Sequence, residues 1–273
     1  MPVIATNTAA NSAIRFLNKN ASMAANSVSK LSSGSRIVRA SDDAAGLAIS
    51  TKLTADTTAL KQAGTNAAQA ASVLQVADGG LARISDVLQR MKALTAQAIS
   101  GAVTSAERGY INAEYTALNS EVQGILDTTT FNGSELIKGA YNESFFVGLG
   151  ASGAINAIAA DLTTGVTVTA PGGGTTGATN ANASAASALI DTQIANVSTA
   201  RATVGALISR FETRGDQIAT SVENIEAANS AIKDVDLAAE QSRLVSANVL
   251  TQAAVSAVSQ ANQIPQSLLR VLQ

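Results

Sequence analysis

Asp42 and Asp43 stand side by side, and Asp234 and Asp236 lie one residue apart, so these carboxylates are the first to weigh as acid–base or metal-binding pairs. Neighbouring helix positions do not face each other, and no second cluster of oxygen ligands accompanies either pair. Both pairs fall where a helix-forming stretch begins. There a carboxylate meets unsatisfied N–H groups and the positive end of the helix dipole, so capping accounts for them better than chemistry does. With Ser41 before it, the Asp42–Asp43 pair reads as a serine cap followed by acids in the first turn. Nucleophilic chemistry lacks its usual parts. The chain has no His and no Cys, which removes the common general base near neutral pH, the thiol nucleophile and zinc–thiolate sites. A Ser–Lys pair remains permitted by composition, but no spacing singles one out. The Gly-rich stretches LSSGSR (31–36) and PGGGTTG (171–177) lack the Gly-Lys-Ser/Thr ending that cradles phosphate. The sequence assigns no catalytic, cofactor-binding or metal-ligating residue, and predicts no enzyme.

The elements around these residues carry more information. Hydrophobic residues make up 46% of the chain while aromatics make up 3% and Trp is absent, so the apolar content is mostly Ala, Val, Leu and Ile. Ala and Leu lose little freedom in a helix, and an Ala-based core buries little area per side chain. Such a core suits close helix–helix packing, with much of the stability supplied by neighbouring copies. The net charge of −2 gives no bias toward nucleic acid, and no apolar run reaches the roughly 18 residues of a membrane span. The charges are uneven, however. Residues 1–41 carry Arg15, Lys19, Lys30, Arg36 and Arg39 and no acid, and residues 241–273 are also free of acids. The start of the chain lacks a basic segment followed by an apolar core, so the expectation is a cytosolic protein or export without a cleaved signal.

Three-four spacing of apolar residues runs through both ends. Ile14, Leu17, Ala21, Ala24, Val28 and Leu31 form one such seam, and Leu244, Ala247, Leu250, Ala254, Ala257, Ala261, Ile264, Leu268 and Val271 another. Gly34 is suited to end the first helix in the left-handed conformation. A second helix is predicted from Asp42 to about Ile99, with Ala67, Ala70, Leu74, Ala77, Leu81, Ile84, Leu88 and Met91 on one face and an interruption at Gly79-Gly80. A third runs from Ser105 to Leu126 and ends before the turn signal Phe131-Asn132-Gly133. Short β-like runs follow at Ser144–Leu149 and Gly165–Ala170, the latter before a Gly-rich loop. Helix returns from about Asn182, with a joint at Asp234–Asp236 and a kink or lost hydrogen bond at Pro265. Arg90 and Lys92 read as part of a solvated face. The fold class is therefore mainly α: a long antiparallel coiled-coil or helical-bundle rod formed by both chain halves, with a small β-hairpin patch in the middle. Two amphipathic end helices paired alone leave apolar surface uncovered and need further copies around them.

Several segments resemble the bacterial flagellins. They are KLSSGSRIVRASDDAAGLAIS (30–50), LQRMKALTAQAISG (88–101), TTFNGSEL (129–136), ARATVGALISRFE (200–212), ENIEAANSAIKDVDLAAE (223–240) and LTQAAVSAVSQANQIPQSLL (250–269). The resemblance covers roughly residues 1–140 and 185–273. It implies an inner coiled-coil domain of 1–41 and 233–273, an outer helical-bundle domain of 42–140 and 185–232, and a short β-rich excursion at 141–184. It implies an assembly interface on the inner helices at Ile14, Leu17, Val28, Leu31, Leu244, Leu250, Ile264 and Leu268, and a connector containing Arg36, Asp42 and Asp43. It also implies a secreted, extracellular filament subunit for swimming motility, exported unfolded and added at the distal tip. The partners implied are identical or paralogous flagellins, a cap protein, a hook-associated junction protein, the type III export apparatus and an export chaperone. No cofactor, nucleic acid or membrane insertion is implied. Gln89, Arg90 and Leu94 match a face read by an animal immune receptor, but Lys92-Ala93-Leu94 stands where many members have Arg-Glu-Leu. The loss of that acid weighs against receptor activation. A hook–filament junction protein would share the ends, and a coiled-coil adhesin would need a larger head than 141–184. A His-Glu-x-x-His peptidase displayed on a filament is excluded by the absence of His.

Overall fold

The computed structural model describes residues 7–138, 141–149, 155–161 and 180–271. Among these residues five helices carry the fold: α1 (Thr8–Ser33), α2 (Ala44–Ile99), α3 (Ser105–Thr128), α4 (Asn180–Lys233) and α5 (Leu237–Val271). Four short strands form two antiparallel pairs, β1 (Thr130–Phe131) with β2 (Ser134–Glu135), and β3 (Asn142–Leu149) with β4 (Ile155–Asp161). The chain is mainly α with a small β patch. The expected β run at 165–170 lies outside the described residues.

Two compact units divide the chain. One joins Met1–Ala55 with Asn224–Gln273, and the other is Asp56–Glu223. The breaks fall inside α2 and α4, whereas the sequence reading put them at the gaps between helices.

In the second unit, the eight α2 residues from Ala67 to Met91 that share the three-four spacing are all essentially inaccessible. Ile111, Tyr115, Val122 and Leu126 of α3 and Ile190, Val197, Val204 and Phe211 of α4 are buried with them in this unit. Ion pairs Arg201–Asp78 (2.9 Å) and Lys92–Asp191 tie α4 to α2, and Arg90–Glu114 (2.6 Å) ties α3 to α2. Arg90 is thus exposed and Lys92 half-buried, and both are paired across helices, not simply solvated. α3 begins with a capping box in which Thr104 and Glu107 satisfy each other's backbone N–H groups.

Gly79-Gly80 does not interrupt α2. A Cβ on Gly80 would lie 2.6 Å from Thr129 Oγ1, so the glycine serves the close approach of the α3 C-terminus. Directly after Thr129, Asn132 (φ 50°) and Gly133 (φ 80°) make the two-residue turn between β1 and β2, the geometry for which Asn-Gly is favoured. The β3–β4 hairpin is anchored by Phe145, whose ring meets Phe211 of α4 edge-on at 5.8 Å. The strand β4, INAIAAD, gives little strand signal by itself. It is held by its register with β3, from Asn142 opposite Asp161 to Leu149 opposite Ile155.

Candidate assembly interface

In the first unit α1 and α5 pair antiparallel. Asn7 Nδ2 donates to the Ala261 carbonyl at 2.8 Å near one end, and Ser27 Oγ donates to Glu240 Oε1 at 2.6 Å near the other. On α1 the solvent-withdrawn residues at three-four spacing are Ala10, Ala13, Leu17, Asn20, Ala24, Ser27 and Leu31, with Ser12, Ser29 and Lys30 half-buried at its margins. On α5 they are Glu240, Leu244, Ala247, Thr251, Ala254, Val258 and Ala261. Both sets keep a strict three-four repeat, the mark of a coiled-coil seam.

This seam is not quite the expected one. Leu17, Leu31 and Leu244 are half-buried in it, but Ile14, Val28 and Leu250 are exposed. Two three-four ladders run along each helix and share some steps. On α1, Leu17, Ala24 and Leu31 belong to both. The pair uses the ladder completed by Ala10, Ala13, Asn20 and Ser27, because small side chains let the helices approach closely. The ladder completed by Ile14, Ala21 and Val28 is left facing outward. Phe16 (60% exposed), Met23, Leu237, Val245, Val249 (63%) and Val255 join it as uncovered apolar surface. The side chains of Ile264 and Leu268 lie outside the described residues, although α5 runs as helix through Pro265 to Val271.

Glu240 is a carboxylate inside this seam, 4% exposed. The Ser27 hydroxyl holds its pKa below the usual glutamate value, burial opposes that, and Arg243 (3.1 Å) adds to the lowering, with Lys30 contributing by charge. A charge this enclosed is tolerated because its oxygens are occupied.

The connector around Arg36, Asp42 and Asp43 is built from helix ends. Gly34 ends α1 at φ 68°, and its carbonyl accepts from Val235 N (3.1 Å). Ser35 bridges Asp234 as an antiparallel pair. Arg36 N donates to the Lys233 carbonyl (2.7 Å) and Arg36 Nη2 to the Ile232 carbonyl (2.7 Å), which satisfies the last carbonyls of α4. Asp42 folds back to accept from Val38 N (3.1 Å) and Arg39 N (3.0 Å), and these bonds lower its pKa. The cap of α2 is Asp43, which accepts from Gly46 N at 2.8 Å, in place of the expected Ser41. Asp236 caps α5 by accepting from Ala238 N and Ala239 N, both at 3.0 Å. Asp42, Asp43 and Asp236 are thus occupied with backbone, Asp234 Oδ2 accepts from Ser230 Oγ at 2.6 Å, and among the described residues no group of three or more potential metal ligands converges. No described helix is long and apolar enough to cross a membrane.

Of the residues matched to the immune-receptor face, Gln89 and Arg90 are exposed. Leu94 is not surface: it is 2% exposed and belongs to the core of the second unit. Sequence matching had no burial information with which to separate it from its neighbours.

A helical pair with a small-residue seam and uncovered apolar flanks fits a subunit completed by its neighbours. Comparison with known proteins decides which subunit. Residues 4–142 match the bacterial flagellin N-terminal helical region and residues 187–272 match the bacterial flagellin C-terminal helical region. The chain belongs to the bacterial flagellin family. It is 35% identical to a flagellin of Halalkalibacterium halodurans, with 99% of both chains covered. It is 33% identical to a flagellin of Bacillus subtilis, over 97% of this chain and 98% of that one. The crystal structure of Bacillus cereus flagellin aligns with 60% of this chain and 94% of that one at 25% identity, with a TM-score of 0.49. As a flagellin, the chain is a structural protein and not an enzyme. It polymerises with copies of itself into the flagellar filament, outside the cell, and serves motility.

Proposed function

We propose that polymerisation is carried by the outward ladders of the α1–α5 pair. Ile14, Val28 and Leu250, with Phe16, Met23, Val245 and Val249 beside them, dock against the same helices of neighbouring copies, while Leu17, Leu31 and Leu244 hold the pair itself together. Ile264 and Leu268 extend the α5 side of this interface. The observation that carries the reading is the uncovered apolar surface on both helices of the pair. A monomer gains nothing from exposing it, and burying each such side chain contributes about 1.5–3 kcal/mol. The domain division at 1–41 and 233–273 follows from this role, with Arg36, Asp42 and Asp43 fixing the link between inner and outer helices.

The chain reaches its site of assembly unfolded, through the type III export apparatus with an export chaperone, and is added at the distal tip between the cap and the growing filament, beyond the hook-associated junction. The resemblance to flagellins and the thin, Ala-rich end helices support this route, since a weakly cored segment unfolds readily and orders on docking. Gln89 and Arg90 form the remaining part of an immune-receptor face.

The test is seeded elongation of full-length chain carrying Phe16→Ser or Val249→Ser. Each is expected to slow elongation by about ten-fold, the equivalent of about 1.4 kcal/mol at the contact, while leaving the monomer's helix content unchanged. Elongation at the parent rate by both variants would remove these faces from the interface.

A further inference from the structure

Among the described residues the β3–β4 hairpin is a two-stranded sheet, so β3 and β4 each have one edge without a strand partner. An open cleft lies along each edge, and the two clefts are opposite in charge. Beside β4, Ile158 and the α4 residues Ser209, Arg210, Thr213, Arg214 and Gln217 line a cleft of about 320 Å³. Arg210 is exposed and has no ion-pair partner among the described residues. Among the described residues Arg214 has a neutral partner, donating Nη1 to Gln217 Oε1 at 2.8 Å. Beside β3, a cleft of about 250 Å³ is lined by Gln69, Phe131, Ser134, Tyr141, Glu143 and Phe145 among others. Glu143 is exposed there without an ion-pair partner among the described residues, and it shares the strand parity of Tyr141 and Phe145. Its charge, together with burial, raises the pKa of the Tyr141 phenol, burial being the larger cause.

A carboxylate beside aromatic rings is a receptor for a guanidinium. The carboxylate accepts its N–H groups and the ring faces attract its charge. The chain supplies a guanidinium without a counter-charge on the other edge of the same hairpin. We infer that the two clefts are the halves of one contact between copies, in which Arg210 of one chain enters the Glu143 cleft of the next. Because the halves sit on opposite edges of one hairpin, one copy cannot satisfy its own cleft, and the contact runs head-to-tail without closing. This rests on the self-assembly reading above and adds to it a lateral, charge-specified contact made by the second unit. It also gives a reason for an exposed charge on a strand without a second partner, where random edge-to-edge pairing is otherwise a hazard.

The test uses full-length chain elongating filament seeds. Glu143→Arg and Arg210→Glu are each expected to slow elongation by about ten-fold or more, because like charges then meet. The doubly exchanged chain, Glu143→Arg with Arg210→Glu, is expected to recover to within about two-fold of the parent. Circular dichroism of the monomers checks folding. Should a reversal disturb it, the neutral variants Glu143→Gln and Arg210→Gln replace it, with an intermediate slowing expected. Single variants that elongate at the parent rate overturn the contact, as does a double exchange no better than the singles. If the parent chain itself fails to elongate seeds, the failure belongs to the self-assembly reading and not to this contact.

Discussion

Gly79 and Gly80 are adjacent in one helix, and replacing each by Ala should move stability in opposite directions. In a helix interior, Gly costs about 0.5–1 kcal/mol relative to Ala. At Gly79 a Cβ meets nothing within 4 Å, so Gly79→Ala should gain that amount in full. At Gly80 the Cβ would sit 2.6 Å from Thr129 Oγ1, 2.8 Å from Thr129 Cγ2 and 3.2 Å from Thr129 Cβ. Either the helices shift, at an overpacking cost of about 1–3 kcal/mol, or Thr129 turns away. Turning away gives up the bond from Thr129 Oγ1 to the Ile125 carbonyl (2.7 Å), worth about 1 kcal/mol. The propensity gain at best cancels the second route, so Gly80→Ala should be neutral to about 2 kcal/mol destabilising. For a unit of this size, 1 kcal/mol moves Tm by about 2–4 °C. Thermal unfolding followed by far-ultraviolet circular dichroism should show Gly79→Ala above the parent and Gly80→Ala at or below it. Adding Thr129→Ser, which removes the Cγ2 contact, should recover part of the loss. Equal stabilisation by both Ala substitutions would refute the packing of Thr129 on α2. The site matters for function because Thr129 is two residues before Phe131, a wall of the Glu143 cleft.

Two further outcomes follow from buried groups. Ser27→Ala removes the hydroxyl that Glu240 accepts from, and should weaken the α1–α5 pair by about 1–3 kcal/mol, raising the critical concentration for filaments about 5- to 150-fold in sedimentation. Because the pKa of Glu240 is depressed from its usual 4.5 in the folded pair, its contribution is present above that value and is lost as pH falls through the lower folded value. Filaments should therefore loosen on acidification below about pH 4.5, and Ser27→Ala should bring that loosening to higher pH. Phe211→Ala empties a site that is 1% exposed and removes the ring contact to Phe145, and should cost about 3–5 kcal/mol in chemical denaturation. It should also raise amide exchange in the β3–β4 hairpin.

The long helices were legible because their buried face is written in Leu, Ile, Met and Ala at unbroken three-four spacing, from Ala67 to Met91 on α2. The seam of the terminal helices was legible only in part. Where Ala and Ser recur as often as Val and Ile, the same repeat fits two ladders, and picking the larger residues selects the outward one. That ambiguity is physical: the ladder with the bulkier side chains is the one left for other copies. Local propensity places the joints near 33–41 and at 234–236, where α1 and α4 do end, but it misjudges Gly79-Gly80 and the cap of α2. Gly79-Gly80 looks like a break in the sequence because the approach of Thr129, distant in sequence, carries no local signal. Ser41 and Asp43 are both good caps, and only the fold of 38–42 decides for Asp43. The clefts beside the hairpin had no signal at all, since they depend on pairing β4, an Ala-rich strand, with β3.

The central claim is that the terminal helices drive polymerisation. The direct measurement is seeded elongation, by sedimentation and negative-stain microscopy, of the full-length chain against a truncated chain of residues 45–230 that lacks α1 and α5. Full-length chain should extend the seeds while the truncated chain, helical by circular dichroism, stays in the supernatant. A truncated chain that extends seeds as well as the full-length one would contradict the account. So would a full-length chain that stays monomeric with helical, protease-resistant ends.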